Sequence, residues 1–185
     1  MRQRRSGRPA SLNYAPVGGT KASDLLRDPP RGYRSSEHRG RLGSGDGCFE
    51  SAVASLRAWG VQRGAGLRVT GDDGSDLAPE ITPGAGVVLL LPAGPFSVRA
   101  PARVVYLIDE PDRVGFAYGT LTGNPISGEE SFVVERTGSG EVWLVLREFS
   151  RPSSAFWRLG APVLRIAQRR MAGRYLRALL PPAGG

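Results

Sequence analysis

From Arg103 onward the apolar and polar positions describe four strands in succession and then one long helix. Residues 103–109 (RVVYLID) read as a strand closed by the turn Glu110-Pro111-Asp112, and 113–121 (RVGFAYGTL) as the next. That second strand sets Gly115, Ala117 and Gly119 on one face and Val114, Phe116, Tyr118 and Thr120 on the other. A face of small residues implies a close approach by a helix, a bend or a ligand. The turn Thr122-Gly123-Asn124-Pro125 leads into 129–136 (EESFVVER), with Glu130, Phe132 and Val134 on one face. The turn Thr137-Gly138-Ser139-Gly140 then leads into 141–149 (EVWLVLREF). Ser150-Arg151-Pro152-Ser153 starts a helix, with its proline near the first turn. From Ser153 to about Leu179, Phe156, Gly160, Val163, Leu164, Ala167, Met171 and Tyr175 fall on one stripe. Arg158, Arg165, Arg169, Arg170 and Arg177 lie largely off it. At 1.5 Å per residue this helix would run about 40 Å, kinked at Pro162, where a hydrogen bond is lost.

The first half is patterned more sparsely. Leu12 and Tyr14 precede Pro16 and a Gly-Gly pair, which suits a short edge strand or an anchored arm. Asp28-Pro29-Pro30 ends any short helix begun near Ala22. Residues 32–39 form a polar strand or loop, and Gly43, Gly45 and Gly47 a tight turn with Asp46 capping the helix that follows. An anion-binding loop is the weaker reading there, because no apolar strand precedes it and no Gly-Lys-Ser/Thr follows. Phe49, Ala52, Val53 and Leu56 give that helix one buried face, and Trp59-Gly60 closes it. Leu67 to Thr70 and Gly86 to Pro92 read as strands, the second apolar enough to be covered on both faces. The acidic turn at 71–76 lacks the alternating ligands and closing glutamate of a calcium loop.

At 185 residues the chain makes one domain that can bury roughly 70% of its unfolded surface. The expected limits are a basic disordered tail at 1–11, the domain at 12–180 and a disordered end at 181–185. One cysteine, Cys48, and one histidine, His38, allow neither an internal disulfide nor a metal cluster, so no metal or cofactor is expected. Cys48 reads as a small packed residue rather than a nucleophile. No apolar run reaches the roughly 20 residues of a membrane span. Arg2, Arg4, Arg5 and Arg8 have no hydrophobic segment after them, which excludes a secretory signal and fits a cytoplasmic location. The net charge of +8 raises nucleic acid or an anionic membrane as a partner. However, Lys21 is the single lysine and the arginines are spread along the chain, which weakens that reading.

Several segments, YGTL (118–121), GEE-x-F (128–132), FSRP (149–152), the helix with Gln168, and 42–59 (LGSGDGCFESAVASLRAW), together resemble the DUF1990 family. One departure is Asn124-Pro125, where many relatives are expected to carry His-Pro. A meander followed by a long C-terminal helix is also similar to the START-like (SRPBCC) helix-grip superfamily. That resemblance implies an α+β fold, a curved antiparallel sheet wrapped around the helix, with a cavity for apolar molecules. Tyr118, Thr120, Glu130 and Arg147 are then expected to point toward the helix, with Arg151 at the mouth. A Glu130–Arg147 ion pair is the structural reading of two of them, and His38 is a candidate proton carrier. Three functions follow: a carrier of a small apolar ligand, an enzyme of hydrolase or cyclase type in the same cavity, and an arginine-mediated binder of nucleic acid or anionic surfaces. On the first, a bulky residue at Gly119 should block ligand uptake. Oligomeric state is left open.

Overall fold

The computed structural model describes residues 10–180, and for 161–165 the backbone alone. The expected tail therefore falls outside the described residues except at Ala10 and Ser11, and the expected C-terminal end falls outside them entirely. Seven antiparallel strands form one sheet: β1 (Arg34–Ser44), β2 (Arg68–Gly71), β3 (Gly86–Ala93), β4 (Phe96–Glu110), β5 (Arg113–Thr120), β6 (Ile126–Arg136) and β7 (Glu141–Pro152). Their spatial order is β1-β7-β6-β5-β4-β3-β2, so the first strand returns beside the last. The meander runs as its turn residues indicate. β4 starts earlier than Arg103, because Phe96 to Ala102 pairs fully with β3. Register shifts at Val104/Tyr106 in β4 and at Arg41/Gly43 in β1 bend the sheet, as extra residues on one strand do.

Two helices link β1 to β2, the opposite edges: α1 (Asp46–Arg57) and α2 (Gly60–Gly64). Phe49, Ala52 and Leu56 of α1 are buried, as their spacing requires. Its N-cap is Gly45, at φ 85°, and Asp46 sits inside the first turn without a capping side-chain bond, contrary to expectation. Left-handed backbone at Trp59, φ 60°, redirects the chain into α2. The indole is buried and donates to Pro79 O at 2.7 Å.

The C-terminal helix is two helices, α3 (Ala155–Leu159) and α4 (Ala161–Ala178), broken at Gly160. Pro162 falls in the first turn of α4, where a missing N–H costs nothing, so it starts a helix rather than kinking one. At 18 residues α4 is about 27 Å long, not 40 Å. Its second half packs on the sheet: Tyr175 is buried edge-on against Phe132 at 5.2 Å, in one core with Phe116 and Trp59. Phe156, expected on the buried stripe, is 73% exposed, and α3 buries none of its residues. The stripe members Val163 and Leu164 lie among residues whose side chains are not described.

The sheet's other face is covered as well. The N-terminal arm crosses it, bridging Leu12 to Leu121 and burying Tyr14 with Leu25, Tyr33 and Phe149. Ser11 accepts from Thr122 N and Ala10 from Arg103, so these two residues are part of the arm and not of a free tail.

Candidate functional site

Alternation along the strands decides which side chains face α4. On β5 these are Phe116, Tyr118 and Thr120; on β6, Glu130 and Phe132; on β7, Leu144, Leu146 and Glu148; on β1, Ser36 and His38. Between them and α4 lies an open cavity of about 310 Å³. Leu67, Leu89, Leu91, Ala100, Leu146 and Met171 make its apolar walls. Its polar groups include Tyr118, Glu130, Glu148, His38, Gln168 and Tyr175.

Three of these, Tyr118, Glu130 and Glu148, form one row with Ser36 of an adjoining groove. Ser36 is the register partner of Glu148, Glu148 of Glu130, and Glu130 of Tyr118. Side chains directly opposite on one face have Cβ atoms roughly 5 Å apart. Ser36 Oγ donates to Glu148 Oε1 at 2.9 Å, and Tyr118 Oη donates to Glu130 Oε2 at 2.6 Å. Each end of the row is thus hydrogen-bonded, and two carboxyls meet in the middle.

Burial raises the Glu130 carboxyl, and the charge of Glu148 raises it further, to about 8, against the opposing pull of the Tyr118 hydrogen bond. Burial raises Glu148 too, with Ser36 and His38 acting the other way. Tyr118 and Tyr175 are pushed up by burial and by the Glu130 charge. The pair can therefore hold and release a proton near neutral pH inside an apolar pocket.

The expected site residues separate. Tyr118 and Glu130 face the cavity, and His38 lines it, half-buried. Thr120 lines it as well, but its hydroxyl is engaged with Asn13 Oδ1 and accepts from Gly128 N at 2.9 Å. Arg147 is not in the cavity, and the expected Glu130–Arg147 pair does not form. At an odd position of β7, Arg147 points to the arm side, donating to Thr20 O at 2.9 Å and Ala22 O at 2.8 Å and pairing with Glu37 at 3.2 Å. Arg151, on the same face, stacks over Tyr33 at 4.4 Å. It lines an adjoining groove that shares His38, Glu148, Ser150 and Gln168 with the cavity.

At Gly119 the small face of β5 is occupied by the arm, whereas at Gly115 the neighbouring β6 backbone comes close. A Cβ on Gly119 would fall 2.1 Å from Tyr14 Oη, so what comes close there is Tyr14 and not a ligand. Asn124 also has a structural place: it donates to Pro101 O and accepts from Ile126 N, each at 3.0 Å, fixing the turn before β6. Sequence reasoning missed Glu148. Val142, Leu144 and Leu146 share its parity, but Trp143, Val145 and Phe149 make the alternate face equally apolar, so alternation alone did not choose between them.

A family model described as a domain of unknown function (DUF1990) matches residues 13–178. A UPF0548 protein of Deinococcus radiodurans is 42% identical over 182 residues, covering 94% of this chain and 90% of that one. A hypothetical protein of Helicobacter pylori, solved by crystallography, superposes with a TM-score of 0.58 at 11% identity, covering 86% of this chain and 92% of that one. Norcoclaurine synthase from Thalictrum flavum, solved with dopamine and hydroxybenzaldehyde, gives a TM-score of 0.49 at 12% identity, covering 83% and 90%. The fold is α+β helix-grip, a curved antiparallel sheet with the C-terminal helix laid across it.

Proposed function

The chain belongs to the DUF1990 family, and from its cavity we propose that it binds or carries a small apolar molecule held between the curved sheet and α4. The supporting observation is the cavity itself. About 310 Å³ is at the lower end of small-molecule sites, with aliphatic walls and a few convergent polar groups on one strip of the floor. That combination suits a ligand whose body is apolar and whose one polar end meets Tyr118, Glu130 and Glu148. Gln168 stands at the rim, donating to Ser150 Oγ at 3.0 Å. The volume favours a compact molecule over a long-chain lipid.

The test uses N-phenyl-1-naphthylamine, a neutral apolar dye that brightens on leaving water. Ala100→Phe and Met171→Trp each add volume at a half-buried wall position. Each should weaken dye binding by about tenfold or more while thermal unfolding stays close to the unsubstituted protein. Unchanged affinity in both folded variants would put the dye, and the proposed ligand, somewhere else.

A further inference from the structure

The middle of the cavity row is its least satisfied part. Ser36 and Tyr118 each hydrogen-bond one oxygen of the flanking carboxyls, yet Glu130 and Glu148 face each other across the β6–β7 register. Among the described residues neither Lys21 nor any arginine forms an ion pair with them. Carboxylates enclosed this way in ordinary proteins are matched by a cation or replaced by apolar groups. Here two are placed side by side on the floor of an open apolar cavity.

We propose that the ligand of this cavity carries a basic nitrogen, as a compact primary amine. Its ammonium group is held between the Glu130 and Glu148 carboxyls, and its apolar body lies against Leu89, Leu91, Leu146 and Met171. An ammonium group brings three donors, enough to reach the free oxygen of each carboxyl and one further acceptor. An apolar tail on the same molecule matches the walls. Other groups facing the pair are His38 from β1, Tyr118 from β5, and Gln168, Tyr175, Arg170 and Arg174 from α4. Arg170 and Arg174 are exposed, with their charges screened by water at the rim.

The proton balance follows. Before binding, the pair retains a proton near neutral pH, consistent with the raised Glu130 carboxyl. The ammonium cation stabilises both carboxylates in ionised form, so that proton leaves to solvent and no covalent bond changes. Affinity for an amine therefore rises with pH until the amine itself deprotonates, near about 10.

This inference rests on the small-ligand reading of the same cavity, and the experiment separates the two. Titration calorimetry with the full chain compares 3-phenylpropylamine with its neutral counterpart 3-phenylpropan-1-ol, in two buffers of different ionisation enthalpy near neutral pH. The amine should bind about tenfold or more tighter than the alcohol and release up to one proton. Glu130→Gln and Glu148→Gln should each cut amine affinity by about tenfold while leaving alcohol affinity within about twofold, which also reports that the cavity is intact. If the alcohol binds as well as the amine, or both Gln variants keep the amine preference, the amine proposal is overturned and the apolar cavity stands. If neither probe binds, the amine proposal and the small-ligand reading fall together.

Discussion

Neighbours in the chain, Glu129 and Glu130 lie on opposite faces of β6. Glu130 faces the cavity. Glu129 is 2% exposed on the arm side and accepts from Tyr14 Oη and Gly18 N at 2.7 Å, Thr20 N at 2.9 Å and the Thr20 hydroxyl. It is the peg on which the arm hangs, and its carboxylate helps hold the Tyr14 phenol well above its ordinary value, after burial itself. Glu129→Ala should destabilise the fold by about 3 kcal/mol or more, since several buried donors lose their acceptor at once. Urea unfolding measures it; a loss of a few tenths would mean the arm is held by its apolar contacts alone. At this scale Glu130 was legible in the sequence because Phe132 and Val134 share its parity. Arg147 and Glu148 were not distinguishable. Trp143, Val145 and Phe149 make the outer face of β7 as apolar as the inner; the arm accounts for Phe149, packed with Tyr14, Leu25 and Tyr33, while Arg39 lies over the Trp143 ring.

Among elements, β5 shows most clearly how one strand serves two partners. Its aromatic face meets α4 through Phe132 and Tyr175, and its small face receives the arm through Tyr14. Gly119→Val should therefore unseat the arm rather than close the cavity. The expected cost is about 1–3 kcal/mol from overpacking, plus the Tyr14–Glu129 hydrogen bond. Hydrogen exchange should speed up over residues 11–22 while binding of the cavity dye is retained. In a double-mutant cycle with Tyr14→Ala the two losses should be less than additive, because the smaller side chain removes the clash. Additive losses would mean that residue 119 is crowded by something other than Tyr14. The C-terminal helix was legible as an amphipathic helix, but its break was not. Periodicity continues across Gly160, and the proline just beyond it reads equally as a kink inside a helix or as a start.

Over the whole molecule, the half-buried carboxyl pair on the cavity floor couples folding to pH. The Glu130 value rises from 4.5 to about 8 on folding, so between those limits the folded protein keeps a proton that the unfolded chain has lost. The unfolded state binds fewer protons there, and this group's contribution makes stability fall as pH rises through that window and level off on either side. Glu130→Gln removes the contribution. Its stability relative to the unsubstituted protein should therefore climb between about pH 5 and pH 8, with Ser36, His38 and Glu148 left in place. Urea unfolding at several pH values reads the difference. A difference that does not vary with pH would show that Glu130 ionises alike in the folded and unfolded chain.

By itself the sequence determined the local elements. Alternation, turn residues and helical spacing act over a few positions, so the four-stranded meander, α1, α4 and the inward side of Glu130 could all be read from it. Tertiary structure decided everything that depended on a partner far along the chain. It placed β1 beside β7 across about a hundred residues of chain, sent the arm over the outer face and so turned Arg147 away from the cavity. It also set Glu148 opposite Glu130. A strand's period of two says that its residues alternate but not which face will be covered, and here both faces are.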